Sequence, residues 1–255
     1  MKRKVEMIAE RITDVVKSWP SVDAVALGEP IGEDMYDPYF FMSLDVYHTG
    51  TVPAVEKRME YFSFGGAFES AQANKKDRFI VEDVAVRIEY KELERVEELV
   101  EGREGLLASL RDNGTYGFYR LLNSEIMYHR TDWIIRMRGI LQNMPPSFWN
   151  LLRYSFQARM EHYLSDLGAA ALRRDPLFFL VSASGFIRSA CSVLFAINRQ
   201  YEPSVRLLSE RVKKLSVLPE PFLGRYDSFL RSDPDLLPDR KREIAELMAK
   251  SIINL

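Results

Sequence analysis

Among the acids in this 255-residue chain that stand in apolar company, Asp45 and Glu89 are the natural place to look for chemistry. Asp45 lies in Leu44-Asp45-Val46 and Glu89 in Ile88-Glu89-Tyr90, each inside a run of strand-forming residues. On spacing alone such an acid is either a solvent-facing residue of a sheet or a carboxylate aimed at a cation. Residues two apart on a strand share a face, so the Ser43 hydroxyl accompanies Asp45. Upstream, the run VDAVAL stops at Gly28, where the lack of a side chain allows close approach of a ligand to the backbone, and Glu29 follows it. Glu33, Asp34 and Asp37 make the intervening loop acidic, and it reads equally as a solvated loop or as a source of further ligands.

Other chemistries have little support. No Ser-His-Asp arrangement, P-loop or dinucleotide fingerprint is present. His48, His129 and His162 are far apart, and with the single Cys191 they form no zinc-type spacing. Cys191, between Ala190 and Ser192, reads as a small core residue, and His129 as a structural one. Arg188, on an otherwise apolar helix, is expected to pair with an acidic neighbour. Arg173 and Arg174 suit a phosphate, but they suit the negative end of a helix dipole better.

The elements that must hold these groups are readable from periodicity. Val5, Ile8, Ala9, Ile12, Val15 and Val16 make the stripe of an amphipathic helix ending before Pro20. VDAVAL and FFMSLDVYH are two strands, a helix covers about Ala54 to Tyr61, and FSFGGAFESA reads as irregular. DRFIVEDVAVRIEY is a hairpin turning at Glu82-Asp83. From Lys91 onward the strand signal fades: KELERVEELVEGREGLLASL is charged and helical, and TDWIIRMRGILQN is a helix closed by Pro145-Pro146. Phe148 to Ala171 follow a helical face, and Asp175-Pro176 caps a further helix. The expected architecture is α+β, a small mixed-sheet domain over residues 1–110 followed by an all-α helical bundle over 111–255, with a ligand cleft between them.

The order helix, short strand ending in Gly28, loop, then a strand bearing Asp45 resembles the nucleotidyltransferase fold of the polymerase-β type. Blocks elsewhere extend the similarity over roughly residues 5 to 230 to nucleotidyltransferase-like proteins with a helical C-terminal domain, most distinctively Arg174-Asp175 and the run at 194–199 followed by Tyr201 and Pro203. The resemblance implies a Mg²⁺ site on Asp45 and Glu89, nucleotide contacts at Gly28, Glu29 and Ser43, and transfer of a nucleoside monophosphate from an NTP to a hydroxyl acceptor, an aminoglycoside-like small molecule among the candidates. Two positions depart from the pattern. Glu29 stands where the family has Ser, and Ser43 where it has a carboxylate, removing one anionic metal ligand and adding negative charge where a triphosphate would sit. The alternative is therefore a pseudoenzyme that keeps the fold as a binding or assembly module.

Composition limits the partners. Thirty-five Lys and Arg against 37 Asp and Glu give a net charge of -2, which offers no general pull toward nucleic acid or anionic membrane. The N-terminal segment is interrupted by charges every few residues, unlike a signal peptide, and the most apolar stretch, FFLVSASGFIRSACSVLFAI, carries Arg188. A cytoplasmic protein without membrane or nucleic-acid partners is expected, with an apolar face on the C-terminal helices that could support a homodimer.

Overall fold

The computed structural model describes residues 2–29, 39–62, 66–71, 73, 75–102, 110, 112–231 and 237–255. The chain divides into two compact units, one comprising Met1–Glu104 with Arg120–Asn143, the other Gly105–Tyr119 with Met144–Leu255.

The first unit is built on a six-stranded sheet in the order β3-β4-β5-β2-β1-β6. Its elements are α1 (Lys2–Val16), β1 (Val22–Leu27), β2 (Met42–His48), α2 (Val55–Tyr61), β3 (Phe68–Ala71), β4 (Lys76–Val81), β5 (Val84–Glu92) and α3 (Leu93–Val100). After α4 (Tyr116–Asn123), whose residues are divided between the units, come β6 (Glu125–His129) and α5 (Trp133–Gln142). All neighbouring strands run antiparallel except β2 and β5, which are parallel.

Burial follows the pleat. Along β5, Val84, Val86, Ile88 and Tyr90 are buried, whereas Ala85, Arg87, Glu89 and Lys91 are half-buried on the opposite face. The buried row joins Leu44, Val46, Val25 and the α1 stripe of Val5, Ile8, Ala9, Ile12 and Val16 in one core. Glu82 and Asp83 have φ of 49° and 69°, the left-handed pair that a two-residue hairpin turn requires. Arg11 Nη1 and Lys4 Nζ both bond Glu82, at 2.6 Å each, which ties α1 to that turn.

A buried ion pair fixes α2 to the sheet. Arg58 Nε and Nη2 donate to the two oxygens of Asp77 at 2.8 and 3.0 Å, Nη1 donates to the Pro53 carbonyl at 2.7 Å, and the Tyr90 hydroxyl donates to Asp77 at 2.7 Å. Arg58 and Asp77 are 1% and 0% exposed. Burial works against the Arg58 charge, but the Asp77 hydrogen bonds outweigh it and raise the guanidinium pKa.

Three features differ from the sequence expectation. FESA within the segment read as irregular is the edge strand β3, paired with β4. The division of the chain also differs from a boundary near residue 110. Residues 120–143 return to the sheet unit, because EIMYH forms β6 on the free edge of β1 with Val25 opposite Tyr128 and Ala26 opposite Ile126. Third, β5 runs on to Glu92, so Lys91 is a strand residue and not the start of a helix.

The second unit is helical: α6 (Pro146–Arg173), α7 (Pro176–Ile197), α8 (Val205–Val212), α9 (Phe222–Leu230) and α10 (Pro238–Ile253). Helices α6 and α7 form a long antiparallel pair joined at Arg174, whose φ of 53° ends α6, and Asp175, whose side chain caps α7 by accepting from Leu177 N and Phe178 N. By length and composition α7 is the one described helix that could cross a membrane, and less than half of that stretch is buried. Glu202, buried, accepts from Ser192 Oγ at 2.5 Å and Thr115 N at 3.1 Å, and pins the start of α4 to α7.

Candidate functional site

Strand register alone brings the two candidate acids together. In the parallel β2–β5 ladder Asp45 is the partner of Glu89, with Ser43 opposite Arg87 and Tyr47 opposite Lys91. On the other side of β5, Lys76 of β4 is opposite Glu89. Partners in a ladder point to the same face, so Ser43, Asp45, Tyr47, Arg87, Glu89, Lys91 and Lys76 share the side of the sheet turned away from α1. On β1 the residues opposite Asp45 and Tyr47 are Ala26 and Ala24, too small to cover them.

The space a shared metal would occupy is taken by protein cations. Lys91 Nζ lies 2.9 Å from Asp45 Oδ2 and 3.9 Å from Glu89 Oε2. Arg120, delivered by α4, places Nε 2.7 Å from the same Asp45 oxygen and Nη1 3.6 Å from the same Glu89 oxygen. Lys76 Nζ completes the cluster at 2.6 Å from Glu89 Oε1. Three cations thus surround two carboxylates. The Arg120 Nε contact is ionic, its N–H not aligned with the Asp45 oxygen, and neither buried oxygen of Asp45 accepts a well-aligned hydrogen bond among the described residues.

The electrostatics follow from this packing. Burial opposes ionisation of Glu89, but Arg120, the Lys76 hydrogen bond and Lys91 outweigh it and hold the carboxyl below the usual glutamate range. Tyr47 is pushed well above the ordinary phenol value by burial, and the Asp45 charge adds to the effect. The Tyr47 ring is packed against Trp133 of α5 at 5.2 Å between centroids, so it is a wall of the site.

These residues do not fit Mg²⁺. That ion takes about six oxygens at about 2.0–2.1 Å. The described residues contain no group of three or more acidic, His or Cys side chains able to hold a metal. A divalent ion between the acids would also sit against Lys91 and Arg120. Unit charges about 4 Å apart at an effective dielectric of about 20 repel by about 4 kcal/mol, and a divalent ion by about twice that for each cation. Glu33, Asp34 and Asp37 lie outside the described residues.

The remaining candidates find mostly structural roles. An added Cβ at Gly28 would meet Ser43 Oγ at 2.5 Å, so the glycine makes room for the serine hydroxyl. Gly28 N also donates to the Ser43 carbonyl at 2.8 Å, which extends the β1–β2 pairing by one residue. Glu29 follows, half-buried. Cys191 is buried and its thiol is pushed up to about 12, chiefly by burial, which makes it a poor nucleophile. His129 Nδ1 is spent on the Thr131 carbonyl at 3.0 Å. Arg173 lies over the Phe178 ring, and Arg174 closes α6.

Lys91, Lys76 and Arg120 are the site residues that sequence reasoning missed. Lys91 carried a usable signal, since it lies two residues beyond Glu89 and shares its face once β5 is extended by one turn of the pleat. Lys76 follows from the hairpin register around Glu82-Asp83. Arg120 has no such signal, because its approach depends on how α4 enters the sheet unit.

No family model matches the chain, and no curated protein matches it. Among solved structures the chain is similar to a nucleotidyltransferase-like protein from Exiguobacterium sibiricum 255-15, with a TM-score of 0.49 and 11% identity over 96% of this chain and 74% of that one.

Proposed function

We propose that this chain is a pseudo-nucleotidyltransferase, a binding or assembly module that keeps the sheet-plus-helices architecture without metal-dependent nucleotidyl transfer. One observation carries the reading: Lys91 and Arg120 each reach both Asp45 and Glu89, so the two acids are bridged twice by fixed cations as a metal would bridge them. The sequence departures act in the same direction, since Ser43 supplies a neutral oxygen where the resembled pattern has a carboxylate.

The rival reading is Mg²⁺-dependent transfer of a nucleoside monophosphate from an NTP to a hydroxyl, and the buried Asp45 carboxylate, which accepts no well-aligned hydrogen bond among the described residues, favours it. A buried carboxylate oxygen of this kind is served as well by an ordered water as by a metal. The test is calorimetric titration of the full chain with ATP, GTP, CTP and UTP, each with and without Mg²⁺ or Mn²⁺, in parallel with Asp45→Asn. The proposal expects no metal-dependent binding by the wild type. Metal-dependent binding or NTP turnover that Asp45→Asn abolishes would establish the enzyme instead.

A further inference from the structure

The helical unit contains a second cluster of charged side chains, separate from the acids of the sheet. Between α6 and α7 lies a cavity of about 250 Å³ whose lining includes Asp112, Arg159, Tyr163, Ser184, Gly185 and Arg188. At about 30 Å³ per water, that volume corresponds to about eight waters, enough for a compact head group with a small body.

The cavity is built. Arg159, half-buried, donates from Nε to Ser189 Oγ at 3.1 Å, and Ser189 Oγ donates on to the Gly185 carbonyl at 2.8 Å, so one edge of the guanidinium is fixed to α7. Gly185 is a mid-helix glycine, a choice that costs about 1 kcal/mol against alanine. Its reason is steric: an added Cβ would meet the Tyr163 ring at 2.4 to 2.6 Å, so the ring lies directly on the helix backbone.

The arrangement of charge leaves one cation open to an anion. Arg188 is exposed, and among the described residues its guanidinium has neither an ion pair nor a hydrogen bond. The buried Glu202 carboxylate nearby accepts from Ser192 and Thr115 and keeps its negative charge. Burial and the Arg188 charge both weaken the hold of Arg159 on its proton, while Glu202, Tyr163 and Asp112 strengthen it. Asp112 and Glu202 balance the two guanidiniums in net charge, so an anion is favoured locally, at the Arg188 guanidinium, and not by an excess of positive charge.

We propose that this cavity binds the phosphate group of a small phosphate monoester, with Arg159 and Arg188 as the charged donors and the Ser184 hydroxyl as a neutral one. The site lies wholly within the helical unit and does not depend on whether the sheet site is inactive.

The test is titration of the full chain, in low salt without divalent metal, with inorganic phosphate and with phenyl phosphate. Both should bind with one-to-one stoichiometry and compete, the ester more tightly. Arg188→Gln and Ser184→Asp alter exposed positions, so the fold should survive, checked by an unchanged melting temperature. Each should weaken phenyl phosphate by about tenfold or more, as expected for losing or opposing a charge-assisted contact. Absence of saturable binding, binding unchanged in both variants, or tighter binding of inorganic phosphate than of the ester would each overturn the proposal.

Discussion

Lys91 Nζ stands 2.9 Å from Asp45 Oδ2 and 3.9 Å from Glu89 Oε2, so a single ammonium on β5 neutralises an acid on its own strand and one on the neighbouring strand. Arg120 repeats the arrangement from α4, and the acid it chiefly serves, Asp45, is 0% exposed.

Removing Arg120 tests how much of this is stabilising. Arg120→Ala leaves the buried Asp45, among the described residues, with Lys91 alone, and unfolding in urea should show a loss of about 3 kcal/mol, the lower end for breaking a buried pair because one cation remains. Asp45→Asn in the Arg120→Ala background should recover part of the loss. A double variant no more stable than Arg120→Ala would mean that the charge of Asp45 is not what Arg120 compensates.

The Arg58–Asp77 pair should be more sensitive, since among the described residues no second cation pairs with Asp77 in its pocket beside the Tyr90 hydroxyl. Arg58→Ala should cost about 3–5 kcal/mol, measured by chemical denaturation. Replacing both partners, as in Arg58→Met with Asp77→Leu, should cost much less than the single change, because no charge is then left buried alone.

Acid should act on this fold in two steps. His48 is buried and its pKa is lowered, chiefly by burial, so the folded state prefers the neutral ring. Its contribution is complete above the unfolded value of about 6.5 and is lost as the pH falls from there through the lower folded value. Glu89, also lowered, contributes above the usual glutamate range and loses that contribution as the pH falls through its depressed folded value. Melting temperature against pH should therefore decline first below about 6.5, and His48→Gln should flatten that first decline. An identical profile in the variant would remove His48 from the explanation.

Gly28 and Ser43 should behave as a packing couple. Gly28→Ala forces a Cβ against Ser43 Oγ and should destabilise by about 1–3 kcal/mol, as overpacking does. Ser43→Ala removes the obstructing oxygen, so the double variant should regain most of the loss in thermal melts. If Gly28→Ala alone is neutral, the glycine serves something other than this contact.

Much of this was legible because it is local. Period-three-and-four apolar residues mark α1, the Glu82-Asp83 turn marks the β4–β5 hairpin, and Asp175-Pro176 marks the start of α7, each from a few neighbouring residues. Strand β6 was hidden because EIMYH is short and lies between helical stretches. It becomes a strand by covering the open edge of β1, a tertiary gain that no local preference reports. The candidate site was half legible for the same reason. Asp45 and Glu89 declare themselves by their apolar flanks, but their meaning is set by Arg120, whose approach belongs to the packing of a helix.

The lone parallel pairing in the sheet also bears on how the protein assembles. The β4–β5 hairpin joins residues close along the chain, whereas β2 meets β5 only across the whole of α2, β3 and β4. Closing so long a loop costs chain entropy before the ladder returns any of it, so contacts of this kind slow a fold down. The rate-determining step should therefore be sensitive to residues along the β2–β5 seam, and the ion cluster above that seam should be among the last features of the molecule to gain its energy.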